Sequence, residues 1–168
     1  MPEHACQYLF DTVSLSNFAL ADSLPLLVQR YGHNLIITTE VLDELIAGVS
    51  AGYSRLKTVV DLDYQGVFTS TVMSAEERNT YARCIEQLGS GEASCLAVAA
   101  SRACVVATDD RAARTACEAH DVRYTGTLGI LKASCLDGEL SVQDADDLLA
   151  TMVRQGFYSP IRRIRDIL

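Results

Sequence analysis

Short apolar runs alternating with longer helical stretches fix the architecture open to this chain. Residues 7–10 (QYLF), 34–37 (NLII) and 104–107 (CVVA) are largely apolar at successive positions and too short for helices. Unbroken apolar runs of this length suit strands buried on both faces of a parallel sheet. Parallel neighbours need a crossover of about a dozen residues or more, usually a helix, and the long gaps here have room for one. Residues 66–70 and 122–124 read as the third and fifth strands, with 104–107 as the fourth. The pattern predicts an α/β fold with a mainly parallel central sheet of four or five strands, covered by helices on both faces.

The helices have signals of their own. Residues 14–30 read as helix in two pieces, because Pro25 favours a fresh first turn. Thr38 or Thr39 caps a helix running to 49, with Val41, Leu42, Leu45, Ile46 and Val49 on one side, and 53–60 continues helical. Ser74 caps 75–88, with Glu76 and Glu77 in the first turn, where the helix dipole favours acids. Gly89-Ser90-Gly91 breaks the chain before an alanine-rich helix over 92–102. Helices over 111–120, 126–135 and 141–154 follow, and Pro160 opens a short last one.

With 168 residues and no internal repeat or linker, the chain reads as one domain, 1–168, with a helical basic tail from about 157 that holds Arg162, Arg163 and Arg165. That tail either touches RNA or an acidic partner, or is the solvated face of a final helix. No apolar run approaches the roughly 20 residues that span a bilayer. The start, MPEHACQ, lacks the basic and apolar regions of a signal peptide, so the expected location is the cytoplasm, with no membrane partner. Six scattered cysteines without a C-x-x-C pair read as small core residues, not as disulfides or a zinc site. A net charge of −8 argues against broad coating of a duplex, though not against an enzyme that grips phosphate through bound cations. His4, His33 and His120 form no pair, and no Ser-His-Asp order or G-x-S-x-G elbow supports acyl chemistry.

Carboxylates collect outside the carboxyl ends of the strands, where open α/β sheets bind their ligands. Asp11 ends the first strand, and Asp109 and Asp110 end the fourth. Glu44 lies just over a turn into the helix after the second strand, Glu40 one turn earlier, and Glu92 opens the alanine-rich helix. Gathered carboxylates repel unless they are protonated or neutralised by a cation, and hard divalent ions such as Mg²⁺ favour oxygen ligands of this kind. Each acid also has a purely structural reading. Glu40 and Glu92 sit in first turns, where the dipole alone stabilises them. Asp110 is placed to cap the next helix, and periodicity does not separate Glu40, Asp43 and Glu44. A phosphate-accepting receiver domain would want its acidic pair after the first strand, not the fourth.

Five pieces in order carry a family resemblance: LFDT around Phe10-Asp11, TTEVLDEL over 38–45, LGSGEASCLAVA over 88–99, ATDDRAAR over 107–114 and GTLGILKAS over 126–134. Their order and spacing are specific where no single piece is. The chain resembles a PIN domain, the fold of many Mg²⁺-dependent ribonucleases, including VapC-type toxins of toxin–antitoxin pairs. Within that family it is similar to PIN-like bacterial and archaeal proteins with a late GTLG-L signature. The resemblance implies a three-layer α/β/α fold and a Mg²⁺ or Mn²⁺ site of Asp11, Glu44, Glu92 and Asp109, with Asp110 as an adjacent acid.

The resemblance also implies a small hydroxyl or amide residue shortly after the first Asp. Thr12 and Ser14 are the candidates for substrate binding, while Val13 stands where Ser or Asn is frequent. Arg114 matches the arginine that follows the acidic pair. It either holds a carboxylate or contacts the RNA backbone, or makes a structural salt bridge to Asp110 or Glu118. Gly126-Thr127-Leu128-Gly129 lacks the P-loop lysine and spacing, so a turn with Thr127 as helix cap is expected rather than a phosphate cradle. The implied activity is endoribonuclease. The implied partners are an RNA substrate, a small antitoxin-like protein donating a basic side chain, and a second copy of the chain. The alternative is an inactive PIN-like binding or regulatory module whose acidic groove accepts a partner protein.

Overall fold

The computed structural model describes residues 5–168, so His4 lies outside the described residues. Strands β1 (Tyr8–Phe10), β2 (Leu35–Thr38), β3 (Thr69–Thr71), β4 (Val105–Ala107) and β5 (Tyr124–Thr125) form one sheet in the order β3-β2-β1-β4-β5. Every pairing is parallel. The sheet is flanked by α1 (Thr12–Leu20), α2 (Leu24–Tyr31), α3 (Thr39–Ser50), α4 (Lys57–Tyr64), α5 (Ala75–Cys84), α6 (Ser90–Arg102), α7 (Arg111–Ala119), α8 (Thr127–Leu136) and α9 (Val142–Arg154). The expected three-layer α/β/α architecture is present, and the sheet is wholly rather than mainly parallel. β2 and β4 are buried along their whole length, as their unbroken apolar runs require. Phe10, Phe18, Leu27, Ile37, Leu45, Leu96 and Leu131 are among the core side chains closed off from water.

From β1 the chain builds outward through β2 and β3, then crosses back to β4 and β5 on the other side. The reversal falls between β1 and β4, whose carboxyl ends are neighbours. Phe10 pairs with Ala107, and the Asp11 N–H donates to the Ala107 carbonyl at 3.1 Å. A crevice opens at such a switch point, and ligands of open α/β sheets bind there.

Several boundaries move for local reasons. β3 begins at Thr69 instead of residue 66, because Gly66 takes φ 75 and the Val67 and Phe68 N–H groups donate back to the Leu62 carbonyl at 3.0 and 3.4 Å. β5 begins late because Asp121 takes φ 54 and Val122 N–H closes α7 on the Cys117 carbonyl at 2.8 Å. α5 stops at Cys84, and 85–88 curl into turns with Leu88 N–H on the Cys84 carbonyl at 3.0 Å. α1 starts at Thr12 because the Asp11 carboxylate caps it. All six cysteines are free, with Cys84, Cys95, Cys104 and Cys117 buried as small core residues.

The tail departs most from expectation. It is not helical from Pro160; only a single 3₁₀ turn, Ile164–Ile167, forms. Buried Asp146 on α9 accepts from Ile164 N–H at 2.7 Å and from Arg165 Nε at 2.5 Å, which pins the chain end by its side chain. Arg165 is thus taken up by Asp146, and Arg163 pairs with Asp166 at 3.0 Å. Among the described residues no helix is long and apolar enough to cross a membrane.

Candidate metal centre and active site

Asp11 is the first residue after β1 and the N-cap of α1. Its Oδ1 accepts Ser14 N–H at 2.7 Å, while its buried Oδ2 has no hydrogen-bond partner. Burial pushes this carboxyl up to about 6, and the nearby Glu92 charge adds to the rise. The Thr108 and Ser14 hydroxyls lie near enough to temper it, though neither makes a full hydrogen bond to Oδ2. A buried carboxylate oxygen without a donor is costly unless a proton or a cation meets it.

Glu92 sits in the first turn of α6 and folds back over Gly89, where a Cβ would collide with its carboxylate. Burial raises its carboxyl, then the charge of Asp110, and more weakly that of Glu44. Glu44, on α3, is held from two sides: the Thr12 hydroxyl donates to Oε2, and Gly91 N–H donates to Oε1 at 2.9 Å. A Cβ at residue 91 would lie 2.7 Å from Glu44 Oε2 and 3.1 Å from Thr12 Oγ1. The second glycine of the Gly-Ser-Gly break is therefore a close approach inside a helix start.

The two aspartates after β4 differ sharply. Asp109 is saturated: Oδ1 accepts Thr127 N–H at 2.9 Å and Arg114 at 3.4 Å, and Oδ2 accepts the Thr127 hydroxyl at 2.5 Å and the Asn17 amide at 3.2 Å. Asp110 is exposed and caps α7 through Ala113 N–H at 2.7 Å, yet it is the acid that acts on Glu92. Glu92, Asp109 and Asp110 line one hollow of about 330 Å³ together with Val13, Asn17, Phe157 and Tyr158. Glu40 stands apart, paired with its neighbour Thr39 at 3.1 Å. A larger hollow, about 650 Å³, lies at the amino ends of the strands and is lined by Arg102, Arg123 and Cys6 without an acid.

Two expectations change here and one is narrowed. Arg114 holds a carboxylate, that of Asp109 rather than Asp110 or Glu118; it also bonds the Thr108 carbonyl at 3.1 Å, and Glu118 accepts the Tyr124 hydroxyl at 2.6 Å. Thr127 does not cap α8, whose cap is Gly126; it is buried and grips Asp109. A Cβ on Gly126 would run into the Arg114 guanidinium and lie 2.5 Å from Asp109 Oδ1, so this glycine also marks a close approach. The Thr12 hydroxyl is occupied by Glu44, and Ser14 is buried beside Asp11, so both bear on carboxylates rather than on the surface. Asn17, Thr108 and Thr127 are the functional neighbours that sequence reasoning missed. The only signal was the polar Thr127 inside an otherwise apolar GTLGIL run.

Among the described residues, no three Asp, Glu, His or Cys side chains converge tightly enough to hold an ion between them. A Mg²⁺ ion does not require that, since it keeps several waters and commonly takes one or two carboxylates. The donor set is all hard oxygen, and the buried Asp11 Oδ2, without a hydrogen-bond partner, fits such an ion.

A parallel sheet with acidic side chains gathered at its switch point defines an α/β protein with an anionic crevice. The chain matches the family DUF3368: PIN domain over residues 7–168, and it belongs to the PIN-domain family. Members of that family are typically nucleases and generally use divalent metal ions. Among solved structures it is similar to PAE2754 from Pyrobaculum aerophilum, with 20% identity and TM-score 0.51 over 73% of this chain and 91% of that one. It is also similar to VapBC2 from Rickettsia felis, solved bound to a DNA fragment from its promoter, with 15% identity and TM-score 0.49 over 71% and 97%. VapBC-1 from nontypeable Haemophilus influenzae gives 14% identity and TM-score 0.49 over the same shares, 71% and 97%. At 20% identity the likeness to PAE2754 is one of fold. No curated protein matches significantly.

Proposed function

We propose that this chain is a metal-dependent endoribonuclease that hydrolyses RNA phosphodiester bonds, in the manner of the toxin of a toxin–antitoxin pair. The observation that supports it most is the buried, unpartnered Oδ2 of Asp11 at the switch point, within reach of the Glu92 charge. Asp11, Glu92 and Asp110 would contact the Mg²⁺ or Mn²⁺ ion, with Glu44 and Asp109 completing the acidic set. When bound, the ion supplies Lewis acidity and positive charge beside the scissile phosphate.

The chain's own residues divide the remaining work. Glu92, in the first turn of α6 and lining the hollow with Asp109 and Asp110, would orient the attacking water. Thr12 and Gly91 N–H fix Glu44, and Thr127 and Asn17 fix Asp109, so that little reorganisation is left for the reaction. Arg114 neutralises Asp109 on one edge and offers its remaining donors to the RNA backbone. A small antitoxin-like protein placing a basic side chain in the same hollow would silence it, and a homodimer in the cytoplasm goes with this reading. Purified protein is expected to cut single-stranded or structured RNA with Mg²⁺ or Mn²⁺, and to lose activity in EDTA and in Asp11→Asn. Undiminished cleavage by Asp11→Asn would overturn the assignment.

A second reading is a binding module that does not cleave, whose acidic hollow of Glu92, Asp109 and Asp110 accepts a partner protein. That reading predicts a tight complex with a basic partner protein and no cleavage at any divalent ion concentration.

A further inference from the structure

The end of the chain forms a strap along the acidic hollow. Phe157 N–H donates to the Met152 carbonyl at 3.0 Å, and Ile164 N–H donates to Asp146 at 2.7 Å, so 157–163 is tied to α9 at both ends. Between the ties, Phe157 and Tyr158 line both the acidic hollow and a neighbouring one of about 390 Å³, whose walls include Arg114 and Tyr124. That volume lies within the range of sites that take one small ligand. Tyr158 is 87% exposed although its backbone is held in place. On the other wall the Tyr124 ring is fixed by its hydrogen bond to Glu118, and the Arg114 guanidinium stands 5.6 Å from its centroid. The one acid in this second hollow is Asp109, already bonded by Arg114 and Thr127. Beside the acids, therefore, lies a neutral-to-cationic surface built from aromatic faces.

We infer that this surface is a base-binding subsite: the base of a nucleotide flanking the scissile phosphate stacks on Tyr158, with its backbone toward Arg114. The inference rests on the nuclease reading and adds to it the side chain that grips an unpaired nucleotide. A base inside a duplex presents no free face to a side chain, whereas an unpaired one stacks readily on an aromatic ring. Stacking also gives a chain of net charge −8 a grip on RNA that needs no basic patch. The tail then meets RNA through an aromatic ring, while Arg163 and Arg165 pair within the chain.

Binding is read by fluorescence anisotropy in an Asp11→Asn background with Mg²⁺, using a short unstructured RNA and the duplex of the same sequence. Tyr158→Ala is expected to weaken single-strand binding by roughly 5- to 150-fold, the span for one base on one ring. Tyr158→Phe should bind like the parent, and the duplex should bind more weakly and not respond to Tyr158→Ala. In the cleaving protein with Mn²⁺, Tyr158→Ala should raise KM more than it lowers kcat. Unchanged affinity in Tyr158→Ala, an equal loss in Tyr158→Phe, preference for the duplex, or no single-strand binding would each overturn the subsite. Absence of Mn²⁺-supported cleavage by the unaltered chain would overturn the nuclease reading alone, because the binding comparison does not depend on turnover.

Discussion

Asp11 concentrates the tension of this molecule in one side chain. One oxygen caps α1, and the other is buried without a full hydrogen bond, which makes the charged form expensive to fold. Its carboxyl is raised from 3.8 to about 6 in the folded chain, so the folded state binds that proton more tightly than the unfolded state. Stability from this group is therefore full below about pH 3.8 and is lost as pH rises to about 6. Asp11→Asn keeps the cap and removes the buried charge. In EDTA it is expected to stabilise the fold above pH 6 by up to about 3 kcal/mol and to make little difference at pH 4, as read by denaturant melts at the two pH values. Destabilisation at pH 7 would show that the buried oxygen is already satisfied. Asp11 was legible in the sequence because it stops an apolar strand at the functional edge. Asn17 and Thr108 were not, since a single polar residue beside an apolar run has no periodic signature and gains meaning only from partners such as Asp109, 92 residues from Asn17.

At the scale of elements, two helix starts hold the acids by tight approach. α6 begins where Gly91 N–H meets Glu44, and α8 begins where Thr127 N–H meets Asp109. Both use a backbone donor that the helix leaves unpaired, and both require a glycine for lack of space. Gly126→Ala is expected to drive Arg114 off Asp109 at a cost of about 1–3 kcal/mol in stability. It should also lower kcat/KM by roughly a hundredfold, because displacement near the reacting groups weighs more than packing. Steady-state kinetics beside a thermal melt checks the ratio; a variant with wild-type kcat/KM would show that Asp109 needs no such clamp. The glycines were visible in the sequence, and so was their order, but their purpose was not. Local rules read them as a break and a turn, while the structure shows long-range contacts that no local rule encodes. The tail pinned by Asp146 escaped for the same reason, whereas β3, polar in all three residues, was read with only its start misplaced.

The whole molecule follows from the alternation of apolar runs and helices, which was readable because parallel strands must be apolar on both faces. Strand order was not readable from that pattern, and it is the order β3-β2-β1-β4-β5 that brings Asp11 beside Asp109 and Asp110. Cations that enter an acidic crevice offset the repulsion among its carboxylates. The most direct test is anomalous diffraction from a crystal of the unaltered chain soaked in Mn²⁺. A peak is expected beside Asp11 Oδ2, shared with Glu92 or Asp110. A crystal that takes up Mn²⁺ elsewhere, or none at all, with the carboxylates free of lattice contacts, would contradict it.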